Sequence, residues 1–186
     1  MGYWNSRGLR GSSFEELINF TNDRYRRIGI AVIQKIPTPI TPVKMDSDKK
    51  IITLAYFDKQ STVDYIGAVQ GLAICFDAKE SKEKSLPIAN IHEHQIGFMR
   101  DFEKQGGVAF LLVHMAMYSK YYFLPLEVLE KYWNSAMTGG RKSIPAEAFE
   151  EKYEIKAASG ILDYLDCVNT YLLWKRQEKQ NNGHSV

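Results

Sequence analysis

Cysteine is scarce in this chain of 186 residues, with only Cys75 and Cys167. Two thiols cannot build a disulfide framework, nor a zinc site unaided. Cys75 falls in an apolar run and Cys167 in a helical pattern, so both read as small buried hydrophobes kept in a reducing cytoplasm. No apolar run approaches the roughly 18 residues of a membrane span. The opening MGYWNSRGLRGSS lacks the apolar core of a secretory signal. Internal repeats and low-complexity blocks are missing too. Net charge is only +2, which excludes a strongly basic or acidic scaffold. What charge there is lies unevenly: residues 1–50 hold nine Lys or Arg against five Asp or Glu. That quarter, with Arg7, Arg10, Arg24, Arg26 and Arg27, either meets phosphates or forms a solvated helix face.

With 45% hydrophobic and 25% charged residues, the composition is that of one ordinary globular domain. The pattern predicts a helix over 12–27 with Phe14, Leu17, Ile18, Thr21 and Tyr25 inward. Strands follow at 30–36 and 51–57. Between them lie Pro37, Pro39 and Pro42, which exclude a helix or an interior strand. Residues 37–50 therefore read as an extended arm or protruding loop. A hairpin spans Thr62 to Phe76, with its turn near Ala68–Gly71. A helix at 90–105 precedes VAFLLVHM (108–115), an unbroken apolar strand expected of a sheet covered on both faces. YSKYYFL (118–124) is a further strand, and Pro125 opens a helix. Gly139-Gly140-Arg141-Lys142 forms a basic loop. A final helix is expected over 160–176, with a loose tail over 177–186. The order predicts a single α/β domain, a mixed sheet flanked by helices.

Chemistry concentrates at Asp77-Ala78-Lys79, which closes the apolar strand LAICF. Alternation puts Asp77 and Lys79 on one face with Cys75, and Leu72, Ile74 and Phe76 on the other. The acid-x-Lys spacing occurs five times in the chain, but only this copy ends an apolar strand. It reads either as a strand-end ion pair or as half of a catalytic centre. A second carboxylate, Asp64, lies 13 residues upstream in the partner strand of the hairpin. Glu15 on the first helix is a candidate third. Clustered carboxylates repel, and a hard divalent cation such as Mg²⁺ relieves that repulsion. Lys79 would then hold a water or stabilise charge on a phosphate. Gln95 falls on the apolar stripe of its helix, as a satisfied core amide or as a group orienting water or Lys79. His92 and His94 flank it, but on a helix such side chains diverge, which disfavours a shared metal.

Several segments together carry a resemblance. Ser6-Arg7-Gly8 followed by FEEL, Lys35-Ile-Pro-Thr-Pro39, AYF at 55–57, STVDY at 61–65, FDAKE at 76–80, HEHQI at 92–96 and GRKSI at 140–144 resemble, in order, the RecU family of Holliday-junction resolvases. The resemblance implies a restriction-endonuclease-like nuclease fold of the PD-(D/E)xK type, with the proline-rich arm as a stalk entering the junction. It implies a homodimer cutting symmetric strands of four-way DNA with Mg²⁺ or Mn²⁺, and recombination proteins as candidate partners. Carried over, Asp64, Asp77 and Glu15 bind metal, Lys79 is the catalytic lysine, and Gln95 completes the catalytic set. Glu16 competes with Glu15 for the helix position. Arg7, Arg10, Lys35, Tyr56, Phe57, Arg141 and Lys142 become the DNA contacts. Asp77 stands where the family usually has Glu, one methylene longer. A non-catalytic branched-DNA binder and a duplex-cutting restriction-like enzyme are the competing readings.

Overall fold

A computed structural model describes residues 13–57 and 62–183 of the chain. Arg7 and Arg10 lie outside the described residues.

The centre of the molecule is β5 (Leu72–Ser81), a ten-residue strand whose run of Ile74 to Asp77 is wholly buried. It pairs antiparallel with β4 (Tyr65–Val69) across the turn Gln70-Gly71, where both residues have positive φ, +47° and +90°. Two such residues make the hairpin turn whose twist suits the flanking strands. On its other side β5 runs parallel to β7 (Val108–Met115). Parallel neighbours need a crossover, and α2 (Glu93–Lys104) supplies it. β1 (Ala31–Lys35), β8 (Lys120–Pro125) and the short β10 (Glu154–Ile155) extend the sheet, which reads β1-β4-β5-β7-β8-β10. All its pairings except β5/β7 are antiparallel. The expected mixed sheet between helices is what forms.

Alternation along β5 and β7 divides the core in two. Ile74, Phe76, Phe110 and Leu112 face α1 (Ser13–Arg27) and α4 (Leu165–Gly183). There, aromatic rings run across the strands: Tyr65 stacks on Phe76 at 4.8 Å and Phe76 on Phe110 at 4.9 Å, and Phe110 meets Phe123 tilted at 4.5 Å. Cys75, Ala109, Leu111 and Val113 face the other way, toward α2 and α3 (Leu126–Met137). β6 (Ser85–Pro87) and β9 (Ser143–Pro145) pair beside this second core.

Two stretches differ from expectation. The arm over 37–50 contains a strand, β2 (Ile40–Asp46), paired antiparallel with β3 (Ile51–Phe57) in a ribbon separate from the main sheet. Pro42 is tolerated because each strand of a two-stranded ribbon is an edge, and the pairing shifts register directly after it. The helix expected over 160–176 begins only at Leu165 and continues to Gly183. Residues 157–162 instead form a hairpin, β11 (Ala157–Ala158) with β12 (Ile161–Leu162). Ser159 and Gly160 make its turn, with φ of +52° and +74°. The Leu162 amide donates to Thr21 Oγ1 of α1 at 2.9 Å, which takes Ile161-Leu162 out of the helix.

Candidate active site

The hairpin register explains the site. Tyr65 pairs with Phe76, so Asp64, one residue before β4, comes opposite Asp77, one residue after Phe76. The two acids clasp each other's backbone: the Asp64 amide donates to Asp77 Oδ1 at 2.7 Å, and the Ala78 amide donates to Asp64 Oδ2 at 3.0 Å. The Asp64 carbonyl accepts from Ile36 N–H at 2.8 Å, tying the loop to the end of β1. Lys79, two residues along β5, returns its ammonium to 2.8 Å from Asp77 Oδ2.

Burial makes this cluster chemically tense. The Asp77 side chain is 0% exposed and that of Lys79 is 14% exposed. Desolvation chiefly, then the charge of Asp77, pushes the Asp64 carboxyl up from 3.8 to about 6. The Ala78 hydrogen bond and the Lys79 charge pull it back, and Glu15 adds a smaller push upward. Asp77 Oδ2, though close to Lys79, accepts no well-directed hydrogen bond among the described residues. A buried carboxylate oxygen left this way has a lone pair available for a ligand.

Glu15 sits in the first turn of α1 and is ion-paired with Lys35 of β1. Its charge reaches both Asp64 and Tyr65. Glu16 is exposed on the next face. Among the described residues, no three His, Cys, Asp or Glu side chains gather closely enough to hold an ion. Asp64, Asp77 and Lys79 are thus in contact as expected, whereas Glu15 is engaged by Lys35. Gln95 is buried, and its Oε1 accepts from His92 N–H at 3.2 Å, capping α2. His92 precedes the helix rather than lying in it. Its ring stacks on that of His94 at 5.5 Å instead of diverging.

The expected DNA contacts are spread widely. Tyr56 and Phe57 end β3 on the ribbon, 56% and 77% exposed, available for stacking. Arg141 is exposed and bonds Ser143 Oγ at 3.0 Å. Lys142 Nζ donates to Ala136 O at 2.8 Å, at the C-terminal end of α3. One residue went unpredicted: Tyr65 is fully buried and its hydroxyl donates to Asn19 Oδ1 at 3.0 Å, fastening α1 behind Asp64. Its place next to an acid in STVDY was the available signal.

Does this donor set fit a divalent cation? Mg²⁺ takes oxygen ligands, is commonly held by one or two carboxylates and keeps several waters. Asp64 and Asp77 supply two carboxylates, one with an oxygen lacking a directed bond. The set fits.

The family model described as Recombination protein U matches residues 9–170. This chain belongs to the RecU family. Among RecU relatives, the Holliday junction resolvase RecU of Pediococcus pentosaceus is 44% identical, covering 87% of this chain and 84% of that protein. Its counterpart from a Geobacillus species is 41% identical, over 87% of this chain and 83% of the relative. In Oenococcus oeni the figures are 43%, 86% and 82%. A solved structure of Archaeoglobus fulgidus Hjc, a Holliday junction resolvase, is 13% identical with a TM-score of 0.45, covering 75% of this RecU-family chain and 91% of Hjc.

Proposed function

We propose that this chain is a divalent-metal-dependent endonuclease that resolves four-way DNA junctions, acting in the cytoplasm as a homodimer. The observation that carries the reading is the clasp of Asp64 and Asp77 with Lys79 beside it. An isolated buried carboxylate is costly. Here two carboxylates, one with its proton affinity raised, are held by backbone amides next to a single ammonium. RecU-family membership supports the choice of substrate.

In this reading Asp64 and Asp77 hold the cation, Mg²⁺ or Mn²⁺, with Glu15 close enough to act on Asp64 through its charge. The cation, when bound, supplies Lewis-acid charge for the phosphate. Lys79 places its ammonium where negative charge grows on the scissile phosphate or its attacking water. Gln95 fixes the start of α2 through His92. Lys35, Arg141 and Lys142 with Arg7 and Arg10 steer the DNA backbone, and Tyr56 and Phe57 stack on bases at the junction. Two identical sites related by a two-fold axis match the two symmetric strands of a junction.

The test is a labelled immobile junction incubated with and without Mg²⁺ and read on a denaturing gel, with linear duplex alongside. Paired symmetric nicks on the junction only, abolished in Asp77→Asn and Lys79→Ala, are expected. Asp77→Asn keeps an oxygen to accept from the Asp64 amide, so its loss of cutting is not a loss of fold. Wild-type cutting by either variant would falsify the assignment. Cutting of linear duplex at one sequence would favour a restriction-like enzyme.

A further inference from the structure

A cleft of about 460 Å³ opens between α1 and β1, on the Lys35 side of the site. Its walls are unusual for a helix packed on a strand. Asn19, Asn22, Asp23 and Arg26, spaced one helical stripe apart, face Gln34 and Lys35 of β1. That stripe is polar although Asn22 is buried at 5% exposure.

The hydrogen bonds make the cleft one-sided. Asn19 Oδ1 accepts from the Tyr65 hydroxyl and Asn22 Oδ1 accepts from the Tyr164 hydroxyl. Both tyrosines are held protonated, with burial as the main cause, so each is a donor. The oxygens of both amides are thereby used, and their NH₂ groups donate no hydrogen bond among the described residues. An amide NH₂ has two hydrogens to give. With the Arg26 guanidinium and the Lys35 ammonium, the cleft offers donors to an acceptor-rich guest. Asp23 is the one anion among its lining residues, and Arg24, Arg26 and Arg27 crowd the last turn of the same helix.

Position completes the argument. Lys35 lines the cleft and pairs with Glu15, Ile36 holds the Asp64 carbonyl, and Tyr65 follows Asp64. From Glu15 to Arg26 the helix advances about 16 Å, long enough to lie along more than one phosphate of a single strand. We infer that the α1/β1 cleft is a track for the sugar–phosphate backbone of the DNA strand that leads into the site, with Asn19, Asn22 and Arg26 as its phosphate donors. This rests on the nuclease reading above, and adds a binding surface whose lining includes no residue of the ribbon.

The experiment measures binding of the full chain to a fluorescent four-way junction by anisotropy in EDTA, across a salt series. Arg26→Gln, at an exposed position with little bearing on folding, should shallow the slope of log affinity against log salt by about 0.9, the value for one lost phosphate contact. Asn19→Asp still accepts from Tyr65 but turns a donor into an anion. It should weaken binding at least tenfold while leaving the thermal midpoint within a few degrees. Hydroxyl-radical footprints should lose protection over a short run of consecutive nucleotides on one side of the cut. Wild-type affinity, slope and footprint in both variants, with the wild-type chain still cutting, overturn the track and leave the nuclease reading intact. A wild-type chain that neither binds nor cuts the junction overturns both.

Discussion

At the scale of single residues, the site turns on how Asp64 is held. Its carboxyl keeps a proton up to about pH 6 in the folded chain, against 3.8 as its ordinary value. A raised acid stabilises the fold most below the lower value, and that contribution is lost as pH climbs from 3.8 to about 6. Above this window the metal-free fold carries a cost of about 3 kcal/mol from this group. Asp64→Asn should therefore raise the denaturation midpoint of metal-free protein at pH 7 and leave it little changed at pH 4, by urea unfolding at both. Metal affinity runs the opposite way, since the ligand must first lose its proton. Calorimetry of Mg²⁺ or Mn²⁺ binding should show affinity rising through about pH 6 and protons released. Asp77 and Lys79 were legible from strand alternation, and Asp64 from its spacing within a hairpin. The pairing of Glu15 with Lys35 was not, because it depends on how α1 settles on β1, which no local pattern encodes.

At the scale of elements, backbone proximity sets what the sheet tolerates. A methyl group added at Gly67 of β4 would come within 2.3 Å of the Val32 carbonyl oxygen and 2.6 Å of Ile33 Cα. Neither backbone atom can yield without moving β1. Gly67→Ala should cost about 1–3 kcal/mol, the range for overpacking a tight contact, measured by urea denaturation. The alternating and unbroken apolar runs disclosed β4, β5 and β7 in advance. The hairpin at 157–162 went unseen because Ile161 continues the helical stripe of Leu165 and Val168. Only the Ser159-Gly160 pair signalled a turn, and its partner strand is two residues long. The pairing of β2 was hidden by its own prolines, which forbid interior strands but not ribbons.

For the whole molecule, the ribbon and the sheet are separate investments. No residue of β2 or β3 belongs to either core, and every residue of β3 is exposed, including Ile51, Ile52 and Leu54. Such a run of apolar side chains on a protruding ribbon is a contact surface rather than a folding element. Replacing residues 38–49 with a short turn should leave the thermal midpoint nearly unchanged while junction affinity falls at least tenfold, more than affinity for linear duplex. Equal losses on both DNAs would assign the ribbon to general binding instead of branch recognition.

The central placement of β5 has a kinetic consequence. Over Ile74 to Phe76 it has a strand on either side and a core above and below, whereas from Asp77 onward it pairs with β7 alone. Deuterium should enter the first of these stretches only through global opening, and enter β2 and β3 from the native state. In a labelling time course read by mass spectrometry, the peptide containing Ile74 to Phe76, which leads directly into Asp77, should be among the last to gain mass. The cutting chemistry would then be anchored at the end of the slowest-breathing segment, and DNA would be met by the quickest.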